Sequence, residues 1–319
     1  MGQSTAIFDQ STISAIRENL APFNTKVPLV NLENTELLQY LNFYQLPQPH
    51  RELKLRIGTV KSDQQSVVVT SWAPKHANGS VIVVHGYMDH TGLFRHLIDH
   101  LLQCQLNVIC FDLPGHGLSA GQSGFISDYA DYVSALDHVV AASRSLFDGP
   151  LQAIGQSMGG AILLKHLMAQ NSPSQYPFTR INLLAPLLEP RGWSIKRRLF
   201  LLTKSFLKSS KRKFRASSYD QSFLEFVKQQ DPFQPKTVPM VWVGALDKWI
   251  NEFDAFEGSD RPINLIQGSS DKTLNWQHNL QQFQHKLSGL EVQLIAQANH
   301  HLVNEIEPLR QEIFAALKL

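Results

Sequence analysis

The stretch that most constrains this chain is Leu151-Gln152-Ala153-Ile154-Gly155-Gln156-Ser157-Met158-Gly159-Gly160-Ala161-Ile162-Leu163-Leu164. An apolar run suited to a strand meets small residues around one serine, and an apolar helix begins at once. A strand that turns directly into a helix needs glycine where neighbouring backbones pass close, and it presents the serine on a strained turn. The helix start also aims backbone N–H groups at the serine oxygen, where negative charge would be stabilised. A loop turn that happens to carry Ser157 is the plainer reading of Gly155-Gln156-Ser157-Met158-Gly159 alone. The strand before it and the helix after it favour a nucleophile.

The flanking segments set the fold class. Residues 53–57 alternate apolar and basic side chains, and residues 66–72 are β-branched, as in a hairpin. Continuous apolar runs at 80–84, 107–112, 181–186, 262–268 and 292–295 suit strands buried on both faces. Helical patterns fall at 94–103, 126–147, 273–287 and 302–317, and Ser127-Asp128 offers the second an N-cap. Strands separated by helices of this size imply right-handed crossovers and a mostly parallel sheet with helices on both faces, an α/β fold. The expected division is an N-terminal extension (1–50) with one or two short helices, a core (51–186 and 261–319), and a helical cap insertion (187–260) with no clear buried strand. With 319 residues, 43% hydrophobic and 18% charged, the chain can bury such a core.

Ser157 needs a base and an acid. In a doubly wound sheet, working residues gather beyond the carboxyl ends of strands. Asp271 follows the 262–268 run, and His300-His301 follows the 292–295 run, so the order Ser, Asp, His matches a serine on an elbow. A neutral imidazole takes the serine proton, and a carboxylate fixes its tautomer. His301 is an alternative base. Asp247 is an alternative acid, since residues 241–246 read as a strand would present it, and Asp271 read as a mere helix cap would leave the role open. Asp271 is preferred because a complete helix then precedes the histidine strand.

Five motifs in order resemble one family. They are Val84-His85-Gly86-Tyr87-Met88-Asp89-His90-Thr91-Gly92, Asp112-Leu113-Pro114-Gly115-His116-Gly117-Leu118-Ser119-Ala120-Gly121, the elbow, Gly268-Ser269-Ser270-Asp271, and His300-His301-Leu302-Val303-Asn304-Glu305. Together they resemble the monoacylglycerol lipase and bacterial lysophospholipase branch of the α/β-hydrolases. The resemblance implies Ser157 as nucleophile, Asp271 as acid, His300 as base, and the backbone N–H groups of Tyr87 and Met158 as oxyanion donors. It implies a serine hydrolase cleaving carboxylic esters of single-chain acyl lipids, lysophospholipid or monoacylglycerol. The runners-up are an aminopeptidase of the proline-iminopeptidase type and a small-ester carboxylesterase; a non-catalytic binding version of the fold is disfavoured by the intact triad. Where the family often has Glu-His-Ser-Gly-Arg-Tyr, this chain has Asp89-His90-Thr91-Gly92-Leu93-Phe94, so contacts near the pocket mouth are expected to differ.

The insertion bears on substrate access. Between Glu189 and Asp220 there is no acidic residue, and aromatic and aliphatic side chains interleave with lysine and arginine. That mixture suits peripheral contact with an anionic membrane through Arg197, Arg198, Lys211, Arg212 and Lys213. A solvated cap face is the competing reading. A net charge of +2 and no recognised binding motif argue against nucleic acid. No cofactor or metal site is expected, and Cys104 and Cys110 are read as buried free thiols. No run approaches the roughly 18 apolar residues a bilayer span needs. The first ten residues lack a secretory pattern, and Ala6 stands where a myristoylation pattern after Met1-Gly2 wants Ser or Thr. A cytoplasmic protein is expected.

Overall fold

The computed structural model describes residues 8–63, 65–169 and 176–319. The readings resting on residues 1–7 lie outside the described residues. In chain order come α1 (Gln10–Asn19), α2 (Thr35–Phe43), β1 (Leu53–Lys61), β2 (Ser66–Pro74), β3 (Ser80–Val84), α3 (Arg95–Gln103), β4 (Asn107–Phe111), α4 (Tyr129–Arg144), β5 (Leu151–Gln156), α5 (Met158–Met168) and β6 (Arg180–Leu184). Then follow α6 (Trp193–Thr203), β7 (Ser209–Lys211), α7 (Gln221–Gln229), β8 (Thr237–Pro239), α8 (Met240–Ala255), β9 (Ile263–Gly268), α9 (Trp276–Lys286), β10 (Leu290–Ile295) and α10 (Glu307–Ala315).

Eight strands form one sheet in the order β1-β2-β4-β3-β5-β6-β9-β10. The hairpin β1–β2 is antiparallel throughout, β2 is antiparallel to β4, and every other pairing is parallel. The central strands alternate their side chains between two cores, as the period of two requires. Ile82, Val84, Ile109, Phe111, Ala153 and Leu183 face the layer of α4, α5 and α8. Val81, Val83, Val108, Cys110, Ile154 and Leu184 face the layer of α3, α10 and the N-terminal helices. Burying each aliphatic side chain of this size contributes roughly 1.5–3 kcal/mol, so the sheet centre is the rigid frame of the molecule. The strand order reverses at β3, which has β4 on one side and β5 on the other. The loops leaving β3 and β5 therefore diverge from a topological switch point, where open α/β sheets place ligands.

The structure departs from the sequence reading in particular places. The helix expected from residue 273 begins at Trp276, because backbone groups just before it bond elsewhere: Thr273 O accepts from Arg191 N at 2.9 Å, and Asn275 N donates to Glu189 O at 3.0 Å. The closing helix is broken into a 3-10 turn, Leu302–Asn304, and α10, since Ile306 is extended and Pro308 opens a new first turn. Residues 241–246 lie within α8 and not in a strand. Residues 187–260 carry a two-stranded ribbon, β7–β8, whose residues are mostly half-buried. Cys104 is exposed at the end of α3, where a helix terminus meets solvent, while Cys110 is buried in β4 as expected. No helix among the described residues is long and apolar enough to cross a membrane.

Candidate active site

The turn from β5 into α5 holds Ser157 at φ +54° and ψ −113°, a left-handed conformation that costs a non-glycine residue of order 1–3 kcal/mol. The close passage there explains both flanking glycines. A Cβ on Gly159 would fall 2.0 Å from the Val84 carbonyl oxygen, and one on Gly155 would fall 2.6 Å from Gly159. Two backbone bonds fix the turn: Ser157 N donates to Leu184 O at 2.8 Å, and Leu187 N donates to Ser157 O at 3.0 Å. The serine is thus tied to β6 through its N–H and to the segment just after β6 through its carbonyl.

His300, on the loop after β10, presents Nε2 to Ser157 Oγ at 2.9 Å and Nδ1 to Asp271 Oδ2 at 2.7 Å. An ionised carboxylate only accepts, so Nδ1 carries the proton and Nε2 is left to accept from the serine hydroxyl. Gln156 Nε2 donates to the His300 carbonyl at 2.9 Å, which fastens this loop to the elbow strand. Asp271 Oδ1 accepts from Thr273 N at 2.7 Å and Leu274 N at 3.0 Å, while Oδ2 meets the histidine and also accepts from Gln267 Nε2 at 3.3 Å. Burial would depress the His300 pKa, but the Asp271 carboxylate outweighs it and holds the imidazole above its ordinary value. Burial would raise Asp271, and the His300 contact together with the two backbone N–H groups brings it below its ordinary value. The arrangement can withdraw the hydroxyl proton from Ser157 and hold the resulting imidazolium.

The loop after β3 lies against the same serine. A Cβ on Gly86 would fall 3.3 Å from Ser157 Cβ, so the Tyr87 amide follows a residue packed on that serine. His85 shapes this loop: its Nε2 accepts from Leu113 N at 2.9 Å, so Nδ1 carries the proton and donates to Gly86 O at 2.7 Å. Burial keeps His85 below its ordinary pKa and hence neutral, as that pattern requires. The Tyr87 ring stacks on Trp242 of α8, with centroids 3.7 Å apart, and its hydroxyl donates to Gly124 O at 2.9 Å. Met158 is the first residue of α5, where a helix leaves its N–H without an intrahelical acceptor.

The two alternatives sit elsewhere. Asp247 lies on α8 and pairs with Arg197 of α6. His301 turns away from the serine, with Nε2 3.2 Å from Asp89 Oδ1 and its ring 4.8 Å from that of Phe223. The Asp89–His301 contact holds Asp89 at a pKa of about 2 despite burial that alone would raise it.

A family model described as "Serine aminopeptidase, S33" matches residues 75–307. The chain belongs to this family, Hydrolase_4. Among curated relatives of this Hydrolase_4 chain, the monoglyceride lipase of Mus musculus is 32% identical over 131 residues, 40% of this chain and 42% of that protein. Phospholipase YtpA of Bacillus subtilis is 26% identical over 103 residues, 32% of this chain and 39% of that protein. These alignments take in about two fifths of the relatives' own length. A monoglyceride lipase homolog of Monkeypox virus is 23% identical over 266 residues, 80% of this chain and 94% of that protein. The solved structure of a soluble variant of Saccharomyces cerevisiae monoglyceride lipase superposes with a TM-score of 0.71 at 17% identity, over 85% of this chain and 96% of that one. It establishes the α/β-hydrolase fold.

Sequence reasoning missed a buried network within this Hydrolase_4 site. His90 Nε2 lies 3.0 Å from Asp231 Oδ2, Tyr44 Oη donates to Asp231 Oδ1 at 2.9 Å, and Gln234 Nε2 donates to both Asp231 Oδ2 (2.6 Å) and Met88 O (3.1 Å). Asp112 was quoted only as part of a motif, yet its carboxylate spans two loops, accepting from Thr91 N and from Leu118 N, each at 2.7 Å. Only the presence of a carboxylate ending a buried strand could have signalled it.

Proposed function

We propose that this chain is a serine ester hydrolase acting on single-chain acyl lipids, lysophospholipid or monoacylglycerol, through an acyl-enzyme intermediate. The observation that carries the reading is the line from Asp271 through His300 to Ser157 Oγ on a strained elbow. Ser157 Oγ attacks the ester carbonyl as His300 Nε2 takes its proton. The N–H groups of Tyr87 and Met158 hold the oxyanion. The tetrahedral intermediate collapses, and His300 returns the proton to the departing alcohol. Water, deprotonated by His300, then hydrolyses the acyl-serine and releases the fatty acid. Asp271 keeps the imidazole tautomer throughout.

The relatives, monoglyceride lipases and a phospholipase, support acyl lipid as the substrate class. So does the outer face of the 187–260 segment, which this reading treats as a cap. Ile195, Leu199, Leu202 and Phe206 recur at helical spacing and are 61–75% exposed, while Trp193 and Phe200 pack inward. Apolar side chains on both faces, with lysines beside the outer one, suit transient docking of a cytoplasmic protein at an anionic lipid surface. The charges contributing to that docking are fewer than the sequence suggests. Arg197 is paired with Asp247, and Arg212 donates to Gln234 at 2.6 Å while covering the Phe214 ring, leaving Arg198, Lys211 and Lys213 on the exposed side.

A second reading has its own support, since the family model is described as an aminopeptidase. Such a site needs a carboxylate for the substrate amine. Here Asp89 and Asp231 are turned to His301 and His90, and the nearby cavity wall is basic. Kinetics on p-nitrophenyl esters of graded chain length, monoacylglycerol, lysophospholipid and aminoacyl arylamides separate the readings. Turnover of the arylamides with no turnover of acyl esters would reverse the choice, and turnover of short esters alone would make this a small-ester carboxylesterase.

A further inference from the structure

Four cations gather around one open, solvent-exposed cavity at the turn that follows Asp271. Arg191, Arg215, Ala216 and Lys272 line a cavity of about 470 Å³. Lys196, one turn into α6, reaches the same wall, its Nζ donating to the Arg191 carbonyl at 2.6 Å. Some neighbouring cations have carboxylate partners, as Arg197 meets Asp247, Lys248 meets Asp128, and Lys165 meets Glu252, whereas Arg198, Lys211 and Lys213 point into solvent away from any ion pair among the described residues. Among the described residues, no ion pair involves Arg191, Lys196, Arg215 or Lys272. Burial, with a smaller contribution from the neighbouring Arg215 charge, holds Lys196 below the ordinary lysine value.

The cavity is attached to the catalytic geometry at three points. Lys272 directly follows Asp271, which holds His300. Ala216 directly precedes Ser217, whose carbonyl accepts the N–H of His301 at 2.7 Å. Arg191 lies four residues beyond Leu187, whose N–H is bonded to the Ser157 carbonyl, and a run of that length covers at most roughly 14 Å. The carboxylates nearest in the chain, Asp271 and Glu189, are turned to His300 and His278, and like charges gathered without ion-pair partners repel one another unless an anion joins them. Two guanidinium forks and two ammonium groups match a tetrahedral oxyanion, which accepts several charge-assisted hydrogen bonds at once.

We propose that this cavity binds the phosphate of a glycerophospholipid head group, so that the ester hydrolase prefers lysophospholipid over monoacylglycerol. The inference rests on the ester-hydrolase reading above and selects within it. In the substrate, a glycerol backbone separates the phosphate from the scissile ester, so one molecule can place its carbonyl at Ser157 and its phosphate between Arg191 and Arg215. Monoacylglycerol offers only a hydroxyl there and leaves the cations unpaired.

The test compares lysophosphatidylglycerol with monoacylglycerol of the same acyl chain, both in one neutral detergent at constant ionic strength. The wild type should favour the phospholipid in kcat/KM. In the Arg191→Gln, Arg215→Gln double variant that preference should fall about tenfold or more, through KM. Inorganic phosphate should compete with lysophosphatidylglycerol on the wild type and leave monoacylglycerol hydrolysis untouched, an arm that requires no variant to fold. The Arg191→Lys, Arg215→Lys variant should keep part of the preference. An unchanged preference in a folded glutamine variant would overturn the proposal. Phosphate acting equally on both substrates would assign the cavity to free phosphate and overturn the head-group assignment. If the wild type hydrolyses no ester at all, p-nitrophenyl butyrate included, it is the ester-hydrolase reading that fails.

Discussion

His90 and Asp231 meet in the interior at 3.0 Å, with side chains 1% and 0% exposed. His90 belongs to the loop after β3 that carries Tyr87, Asp231 to the segment between β6 and β9, and Tyr44 joins them from the end of α2. One carboxylate thereby fastens three separate parts of the chain, the loop after β3 among them. Burial would depress His90, but Asp231 raises it above its ordinary value; burial would raise Asp231, but His90 lowers it below its own. A raised histidine contributes stability fully below its unfolded value of 6.5 and loses it as pH rises through the folded pKa. A depressed aspartate contributes stability above its unfolded value of 3.8 and loses it as pH falls through the folded pKa. Asp231→Asn should therefore cost about 3 kcal/mol in urea unfolding near pH 6, and the difference from wild type should narrow on the alkaline side. A difference independent of pH would count against an ion pair.

The acid of the relay can be separated from its rival. Asp271→Asn should lower kcat on the order of 10⁴-fold by favouring the wrong imidazole tautomer, whereas Asp247→Asn, which only unpairs Arg197, should change kcat by less than about threefold. Because Asp271 holds His300 above 6.5, and the base works neutral, kcat/KM of the wild type should fall as pH drops through a value above 6.5. That acid limb should move down in the asparagine variant. A limb that stays in place would mean that a different group titrates.

Strain at the elbow gives a third test. Ser157→Ala keeps a Cβ at φ +54°, while Ser157→Gly removes it. Both variants should be inactive, yet the glycine variant should be the more stable by about 1 kcal/mol in chemical denaturation. Equal stabilities would mean that the turn carries little strain.

Much of this was legible in the chain because it is written locally. The elbow is one contiguous strand, turn and helix, and the glycines at 155 and 159 are there for approaches of 2.6 and 2.0 Å that any side chain would block. The order Ser157, Asp271, His300 follows from strands whose apolar runs stand out. The run 241–246 was ambiguous because short apolar stretches fit strand and helix alike, and only the packing of Trp242, Leu246 and Trp249 on one core face settles it as α8. The His90–Asp231–Tyr44 network had no such local pattern: its members lie 141 and 187 residues apart and meet only through tertiary packing. The N-terminal segment, which reads as chemically silent, contributes Tyr44 for that reason. The basic cluster misled in part because pairing cannot be read from composition, so Arg197 counted as free until α8 brought Asp247 to it.

The exposed apolar face of α6 and of the turn after it should matter only at an interface. Leu202→Ser with Phe206→Ser removes two side chains that are each 75% exposed, so thermal stability should change little. Binding to vesicles containing anionic lipid should weaken several-fold, and hydrolysis of vesicle-borne substrate should fall with it, while a monomeric short ester is turned over at the wild-type rate. Undiminished vesicle binding would leave this face merely solvated.

The nucleophile is tested most directly by a fluorophosphonate probe, followed by peptide mapping of the labelled protein. The account expects a single modified residue, Ser157, and no labelling in a folded Ser157→Ala variant, since this hydroxyl lies 2.9 Å from His300 Nε2. Labelling that persists in the alanine variant, or maps to another serine, would contradict it.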